Sequence, residues 1–359
     1  MLKKKAVILM SGGVDSSVAA VLMKDRGFDL IGLTMKIWDD SRKLAKGLPV
    51  HNACIGPGQA DDVRDAQRVC ETLDIPFHAI DLSKEYNELV LDYFKKEYLA
   101  GRTPNPCTRC NPMIKMGLLI ERARETGIKF DYFATGHYAR VAFDPASGCY
   151  AIERAKDLRR DQSYFLYRLD QDQLAHVIFP LGEYAKDQVR EIARAQGLVN
   201  YNKKDSQDFY GGNYSELLGV KDNPGPILDK AGRILGQHKG IWRFTIGQRK
   251  GVSISGPQRS YVIGIDKDRN AIIVGYKEDL LNKELIATDL TWMGINKLAE
   301  TMKVKVKIRY RHVPAPAIIS PMENDGVKVV FDEPQTAVTP GQSVVFYSGN
   351  RVLGGGIIQ

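Results

Sequence analysis

The chain has 359 residues, too many for one ordinary domain and enough for two or three. Hydrophobic residues make up 43% and charged residues 26%, and no apolar run could cross a bilayer, which excludes disordered and membrane-spanning classes. An odd number of cysteines, five, argues against a disulfide framework and for reduced thiols in the cytoplasm, and the net charge of +8 suits a polyanionic partner without requiring one.

Apolar runs alternate with helical patterns through the first half of the chain. Residues 6–10 predict a buried strand, residues 17–23 a helix and residues 30–35 a second strand, which is the βαβ unit of a parallel sheet. The alternation continues with a helical pattern at 61–73, an extended one at 77–82, a helical one at 85–99 and an extended one at 132–135. The predicted fold class is an α/β doubly wound parallel sheet.

The second half changes to short β-branched runs separated by glycine and proline. Residues 261–265 and 271–274 predict strands of a small middle domain. An alternating strand at 303–310 and apolar strands at 327–331 and 343–347 predict a C-terminal β-barrel. We place the domain boundaries at 1–208, 209–282 and 283–359.

A glycine-containing turn, Ser11 to Ser17 (SGGVDSS), lies between the first strand and the first helix. Glycines let the backbone approach a phosphate, and the following helix offers free N–H groups at its N-terminus. The turn is neither a Walker A loop nor a dinucleotide-binding G-x-G-x-x-G. Met35 ends the second strand, at the edge where doubly wound sheets bind ligands, although a core methionine is almost as good an interpretation.

This string resembles the pyrophosphate loop of the N-type ATP pyrophosphatases, a group that includes GMP synthetase, NAD synthetase and the thiouridylases. The resemblance implies binding of ATP and its cleavage to AMP and pyrophosphate, with Mg²⁺ on the phosphates held or oriented by Asp15. The ATP-binding residues that we expect are Leu9, Met10, Ser11, Gly12, Gly13, Val14, Asp15, Ser16, Ser17, Met35 and Gly136.

Four further segments make the resemblance more specific. They are GRTPNPCTRCN at 101–111, ATGHYAR at 134–140, DQSYFL at 161–166 and FTIGQRKG at 244–251. Together, and in this order, they resemble the tRNA-specific 2-thiouridylases, which thiolate the wobble uridine of tRNA. The resemblance extends over essentially the whole chain.

The family resemblance implies a role for several residues. Gly136 would lie near the adenine of ATP, while Arg160, Asp161, Gln162, Arg309 and Tyr310 would contact tRNA. A solvated strand face is the alternative for residues 309–311. We also assign Lys115, Gln248, Arg249 and Lys250 to tRNA, and a structural turn is the alternative for residues 248–250.

The cysteines depart from the family pattern. The family's second cysteine, which receives the persulfide sulfur, corresponds to Tyr210, so the usual two-cysteine relay cannot operate. Cys110 matches the family's other cysteine, and Cys107 precedes it in a C-x-x-C. We assign Cys70 and Cys149 to packing.

Three hypotheses remain for the sulfur chemistry. In the favoured one, Cys54, Cys107 and Cys110 hold a [4Fe–4S] cluster with one iron open to sulfide. In the second, Cys107 and Cys110 alone carry persulfide and resolving chemistry. A structural zinc ion is the third, weakened by the lack of a second C-x-x-C.

The expected function is a tRNA 2-thiouridylase that adenylates the uridine C2 oxygen and then inserts sulfur, with Cys107, Cys110 and Asp15 as catalytic residues. The expected partners are tRNA and a sulfur donor protein or sulfide, with no membrane contact and a monomeric state. Two alternatives are an amidating ligase of the same superfamily and a tRNA-binding protein that has lost catalysis.

Overall fold

The computed structural model describes residues 3–38, 53–56, 58–145, 147–205, 208–210, 214–252, 254 and 258–359. These residues form a first α/β unit, a middle β unit and a C-terminal barrel. No helix within the described ranges is long and apolar enough to span a bilayer.

A parallel sheet forms the centre of the first unit. The strands of this unit are β1 (Lys5–Leu9), β2 (Asp29–Lys36), β3 (Ala53–Ile55), β4 (Phe77–Asp81), β5 (Tyr132–Thr135), β6 (Ala139–Asp144), β7 (Cys149–Arg154), β8 (Val177–Ile178) and β9 (Asp208–Tyr210). The sheet order β4-β2-β1-β5-β8, with every pair parallel, confirms the predicted fold class. The winding direction reverses between β1 and β5, where doubly wound sheets bind their ligands.

Helices cover both faces of this sheet. They are α1 (Val14–Asp25), α2 (Gln59–Thr72), α3 (Ser83–Tyr86), α4 (Asp92–Leu99), α5 (Cys107–Arg109), α6 (Leu119–Glu125), α7 (Gln171–His176), α8 (Lys186–Ala195) and, after the unit, α9 (Tyr214–Leu218). Two π-helical stretches, Asn87–Leu91 and Cys110–Leu118, join α3 to α4 and α5 to α6, and short 3-10 turns lie at Ser163–Phe165, Pro180–Glu183, Ile241–Arg243 and Lys277–Leu280.

Successive residues of β1 enter two different cores, as expected for a strand buried on both faces. Val7 packs into one apolar cluster, with residues of the helical segment that follows Cys107. Ile8 packs into the other, with α1 and α8. Both side chains are fully buried, so the end of β1, where the phosphate loop begins, is held from both sides.

The middle unit is a four-stranded sheet of order β11-β10-β13-β12, formed by β10 (Gly225–Leu228), β11 (Ile234–His238), β12 (Tyr261–Asp266) and β13 (Ala271–Gly275). The last unit contains β14 (Leu281–Trp292), β15 (Met302–Lys307), β16 (Ala315–Pro321), β17 (Val327–Thr336), β18 (Ser343–Ser348) and β19 (Arg351–Ile358). Its order β14-β17-β16-β15-β18-β19 closes through β14–β19, which confirms the predicted barrel.

Two features of the barrel differ from the sequence prediction. The strand predicted at 303–310 ends at Lys307, because residues 308–312 turn away from the sheet. The hairpin of β6 and β7, from the first unit, continues the barrel sheet beyond β19, with Arg351 paired to Glu153. The first unit and the barrel are therefore joined by backbone pairing.

The loop before Cys107 is held by both other units. The N–H of Thr103 donates to the carbonyl of Pro340 at 2.9 Å, and the Gln342 amide donates to the carbonyl of Thr103 at 2.8 Å. The Thr103 hydroxyl also bonds to the hydroxyl of Thr245 in the middle unit. Gly341 has a φ of +90°, and a Cβ there would lie 2.8 Å from the Thr103 nitrogen, so this close approach requires glycine.

Candidate functional site

The phosphate loop is an anion cradle at the N-terminus of α1. Gly13 occupies the N-cap position without a side-chain cap, so the first N–H groups of the helix are not satisfied by a cap. The Ser16 hydroxyl instead donates to the Gly13 carbonyl at 3.0 Å and accepts from the Ser11 N–H at 3.1 Å. The loop is thus pre-shaped by its own serines to bind an anion.

Asp15 lies in a network of charges that its motif did not reveal. The Lys186 ammonium, 5% exposed, donates to both carboxylate oxygens of Asp15 at 2.7 and 2.8 Å and to Asp205 at 2.7 Å. The Tyr138 hydroxyl also donates to Asp15, at 2.8 Å. Burial would raise the pKa of Asp205, but the hydrogen bond from Lys186 and the charges of Lys186, Arg160 and Arg190 lower it overall.

The segment after β5 lies directly beside the phosphate loop. A Cβ on Gly136 would lie 2.7 Å from the Ser16 nitrogen, so only glycine permits this contact. The next residue, His137, bonds through Nδ1 to the Thr135 hydroxyl at 2.8 Å. Burial and the charge of Lys115 lower the pKa of His137 to about 3, so its imidazole is neutral at physiological pH.

Three thiols gather around Lys115. Burial and the negative charge that Cys54 would carry raise the pKa of Cys107 to about 12, while the Lys115 ammonium opposes the rise. Burial likewise raises the pKa of Cys110 to about 11. The charge of Lys115 opposes this rise, and the negative charge that Cys54 would carry adds to it. Burial would lower the pKa of Lys115, but the charges of the three thiolates raise it overall. Cys54, exposed on β3, therefore lies within electrostatic range of both other thiols.

These thiols are not arranged as ligands of one metal ion. In the parts of the chain that the structure covers, no three His, Cys, Asp or Glu side chains form such a group. Cys54, Cys107 and Cys110 form no disulfide bonds. Cys110 is buried and Cys107 is half-buried. The remaining two cysteines lie elsewhere, with Cys70 buried in α2 and Cys149 half-buried in β7, as packing residues would be.

The predicted tRNA residues at 160–162 lie next to the charge network. Arg160 donates to Asp205 at 3.0 Å and keeps 43% of its side chain exposed. The Asp161 carboxylate is fully buried and accepts from Arg154 at 3.1 Å and from the Ser163 hydroxyl at 3.0 Å. The Gln162 side chain accepts from the Tyr138 N–H at 2.9 Å. Arg160 and Gln162 are half-buried, so of the three only Asp161 is closed to a ligand.

Arg309 and Tyr310 follow β15, at the seam between the barrel and the first unit. The Arg309 guanidinium donates to the carbonyl of Thr336 at 2.9 Å. The Tyr310 ring packs on Phe165, with centroids 4.5 Å apart and planes inclined by 34°. Both side chains are half-buried, so this seam presents aromatic and cationic groups together.

The remaining predicted residues lie in the loop before β12 and at the end of β2. The Gln248 amide donates to the carbonyl of Lys250 at 2.8 Å within one tight loop, and Arg249 and Lys250 are exposed. Met35 is half-buried and packs against the apolar cluster that also contains Leu33.

Three protein-family models match consecutive stretches of the chain, and these stretches correspond to the three units of the structure. Residues 4–210 match the family described as "tRNA methyl transferase HUP domain", residues 216–276 the "tRNA methyl transferase PRC-barrel domain" and residues 282–358 the "Aminomethyltransferase beta-barrel domain". The chain is 47% identical to the tRNA-specific 2-thiouridylase MnmA of Endomicrobium trichonymphae, over 99% of this chain and 98% of that one. The chain belongs to the tRNA-specific 2-thiouridylase family.

Other thiouridylases are similar to a comparable degree. The MnmA protein of Clostridium perfringens is 45% identical over 100% of this chain and 99% of its own length. The MnmA protein of Geobacter metallireducens is also 45% identical, over 99% of this chain and 97% of its own length. A solved 4-thiouridine synthetase in complex with RNA and ATP is 18% identical over 60% of this chain and 49% of its own, with a TM-score of 0.33.

The family's relay position lies close to a thiol of this thiouridylase. Tyr210, which stands where the relay cysteine is expected, lies on β9, and β9 pairs with β3. Ile55 is the registered partner of Tyr210, and Cys54 precedes it. Cys54 therefore lies on the strand next to the position where the family carries its relay cysteine.

Sequence reasoning missed three residues of the phosphate site: Lys186, Tyr138 and Asn200. The buried Asn200 amide donates to the Gly12 carbonyl and the Ser17 hydroxyl, both at 2.9 Å. One signal could have indicated Lys186. It is the first residue of α8, where the helix dipole disfavours a cation unless a carboxylate compensates.

We predict that Lys186→Met destabilises the protein by about 2–4 kcal/mol, because it leaves the partly buried carboxylate of Asp15 without its cation and removes the least exposed cation from Asp205. Denaturant unfolding measures the change. Replacing both aspartates by asparagine in the Lys186→Met background restores part of the loss, since the unpaired charges are removed.

Lys230→Met is the matched control. Lys230 pairs with Asp279 on the surface with 64% of its side chain exposed, and its loss is expected to cost less than about 1 kcal/mol. Equal destabilisation by the two lysine substitutions would contradict the role given to the buried network.

Proposed function

We propose that this protein replaces the C2 oxygen of the wobble uridine of tRNA with sulfur, at the cost of ATP cleavage to AMP and pyrophosphate. The observation that carries the proposal is the position of residues 135–137. Gly136 touches the phosphate loop, while His137 lies in the field of Lys115, around which the thiols gather. An activated carbonyl and a sulfur source can therefore meet at one site.

The chemistry has two steps. The uridine O2 attacks the α-phosphorus of ATP. The bond between the α-phosphorus and the oxygen that bridges to the β-phosphorus breaks, and pyrophosphate leaves. A sulfur nucleophile then adds to C2, the C2–O bond breaks, and AMP leaves with the former uridine oxygen. The phosphate loop and the N-terminus of α1 would stabilise the charge on the phosphates in the first step.

Mg²⁺ would bind to the phosphates with Asp15 as a protein ligand. Carboxylate and phosphate oxygens are the ligands that this ion prefers, and Asp15 lies in the loop itself. Lys186 and Tyr138 both donate to Oδ1 of Asp15, whereas Oδ2 accepts from Lys186 and keeps a second lone pair with which it would bind the ion.

For the sulfur source we propose that Cys54, Cys107 and Cys110 hold a [4Fe–4S] cluster. Such a cluster spans more space than one ion, so its ligands need not form the tight group that a single metal requires. The raised pKa values of Cys107 and Cys110 would be lowered by iron binding, and Lys115 would offset the negative charge. A cluster with three cysteine ligands supplies an open iron for sulfide.

The rival source is a persulfide on Cys107 or Cys110. It needs no third thiol and proceeds by thiolate exchange. Burial raises the pKa of both thiols, which opposes thiolate exchange and iron ligation alike. The tyrosine at position 210, which replaces the relay cysteine, is what favours the cluster.

The remaining expectations concern partners and organisation. We assign tRNA binding to Lys115, the 160–162 loop, Arg309, Tyr310 and the exposed pair Arg249 and Lys250. We propose that the protein works as a monomer in the cytoplasm, with sulfide or a donor protein as its partner. The domain boundaries at 208 and 282 stay predictions, and β9 and β14 each extend two residues across them.

The first test separates the two chemical steps. Cys110→Ala is expected to keep tRNA-dependent pyrophosphate release but to lose thiolation at least about 100-fold, because adenylation uses no thiol. Asp15→Asn is expected to lose both activities. Pyrophosphate release and thionucleoside content are measured on the same samples.

Cys149→Ala is the control, since Cys149 lies in β7 and bonds the carbonyl of Ser147. If Cys110→Ala thiolated tRNA as well as Cys149→Ala does, Cys110 would have no part in sulfur transfer. Pyrophosphate release that ignores tRNA would point to an amidating ligase instead.

The second test is iron and acid-labile sulfide content after purification without oxygen. We expect about four iron atoms per chain, lost in Cys54→Ala, Cys107→Ala and Cys110→Ala but retained in Cys149→Ala. An iron-free protein that still thiolates tRNA would exclude the cluster and assign the chemistry to the Cys107 and Cys110 pair.

A further inference from the structure

Lys307 differs from the other lysines of its strand. β15 alternates lysines with core valines, so Lys303, Lys305 and Lys307 point to the same side of the barrel sheet. Lys303 and Lys305 are exposed, as such a pattern predicts, whereas Lys307 is only 5% exposed. The first unit covers the barrel at this point.

The covering groups are aromatic. The Lys307 ammonium lies over the ring of Tyr164 at 5.8 Å from its centroid and over the ring of Tyr310 at 5.5 Å. Within the described residues it has no hydrogen bond or ion pair. Cation–π contacts replace only part of the hydration that an ammonium loses on burial.

The carboxylate that influences Lys307 already has other partners. Burial lowers the pKa of Lys307, while the Asp161 charge opposes the change and the Arg154 charge adds to it. Asp161 itself is hydrogen-bonded by Arg154, by the N–H groups of Ala155 and Ser163, and by the Ser163 hydroxyl. It therefore does not satisfy the ammonium.

The position of Lys307 indicates which ligand would accept a hydrogen bond from its ammonium. It lies between the two segments assigned to tRNA, because Tyr164 follows the 160–162 loop and Tyr310 follows β15. Tyr310 and Phe165 add a half-buried aromatic surface beside it. A cation next to aromatic rings is the combination that binds a phosphate together with its base.

We propose that Lys307 is an RNA-binding residue whose ammonium donates to a phosphate oxygen of tRNA at the seam between the first unit and the barrel. This inference rests on the proposed function, since it takes tRNA as the ligand. The phosphate supplies the acceptor that no described protein group gives the ammonium, at a position that is only slightly open to solvent.

The test is tRNA affinity over a range of salt concentrations. Lys307→Met keeps the side chain's length and apolar stem but removes the charge. We expect about tenfold weaker binding and a salt dependence reduced by about one released counterion. Lys307→Arg retains the charge and is expected to recover most of the affinity, which a purely structural role would not predict. Thermal unfolding of each variant accompanies the titration.

Lys305→Met is the matched control, because it removes the same charge from the same strand at an exposed position. Equal affinities and salt slopes for Lys307→Met and Lys305→Met, with wild-type thiolation intact, would overturn the inference and leave the proposed function standing. Weaker binding at an unchanged salt slope would also overturn it, because no phosphate contact would have been lost. Wild-type protein that neither binds nor thiolates tRNA would instead refute the proposed function.

Discussion

The arrangement of the whole site depends on how the loop before Cys107 is held. Thr103 bonds through its N–H and carbonyl to the barrel turn at Pro340 and Gln342, and through its hydroxyl to Thr245 of the middle unit. Cys107 and Cys110 begin a helical segment that is packed into the first unit, so these bonds fix the middle unit and the barrel relative to the two thiols. If the barrel moved away from the first unit, Tyr310 would move with it. RNA bound at this seam would then no longer be aligned with Cys107 and Cys110.

A second link joins the nucleotide site to the same assembly. Lys186 bonds Asp15 in the phosphate loop and Asp205, and Asp205 in turn bonds Arg160 near the seam. Under the proposed function, Mg²⁺ bound by Asp15 would weaken the bond between Asp15 and Lys186, and Lys186 also bonds Asp205, the partner of Arg160. If Arg160 contacts tRNA as proposed, nucleotide and RNA binding would be connected through these charged groups.

Sequence patterns revealed the local structure and the motif residues, but not the contacts between distant segments. The apolar runs identified β1, β2 and β5, since hydrophobic periodicity reflects which faces are buried. The pairing of β3 with β9 and of β7 with β19 was not predicted, because periodicity does not say which strands meet. Lys186 and Lys307 resemble ordinary surface lysines in the sequence, and only tertiary packing buries them.

Under the proposed function, the C2 oxygen of uridine leaves on AMP after adenylation. The most direct measurement uses tRNA whose wobble uridine carries a heavy oxygen isotope at O2, with mass analysis of the AMP and of the nucleoside after one turnover. We expect the label in the phosphate of AMP and sulfur in its place in the nucleoside. Label that stays in the nucleoside, or that is released without entering AMP, would contradict it.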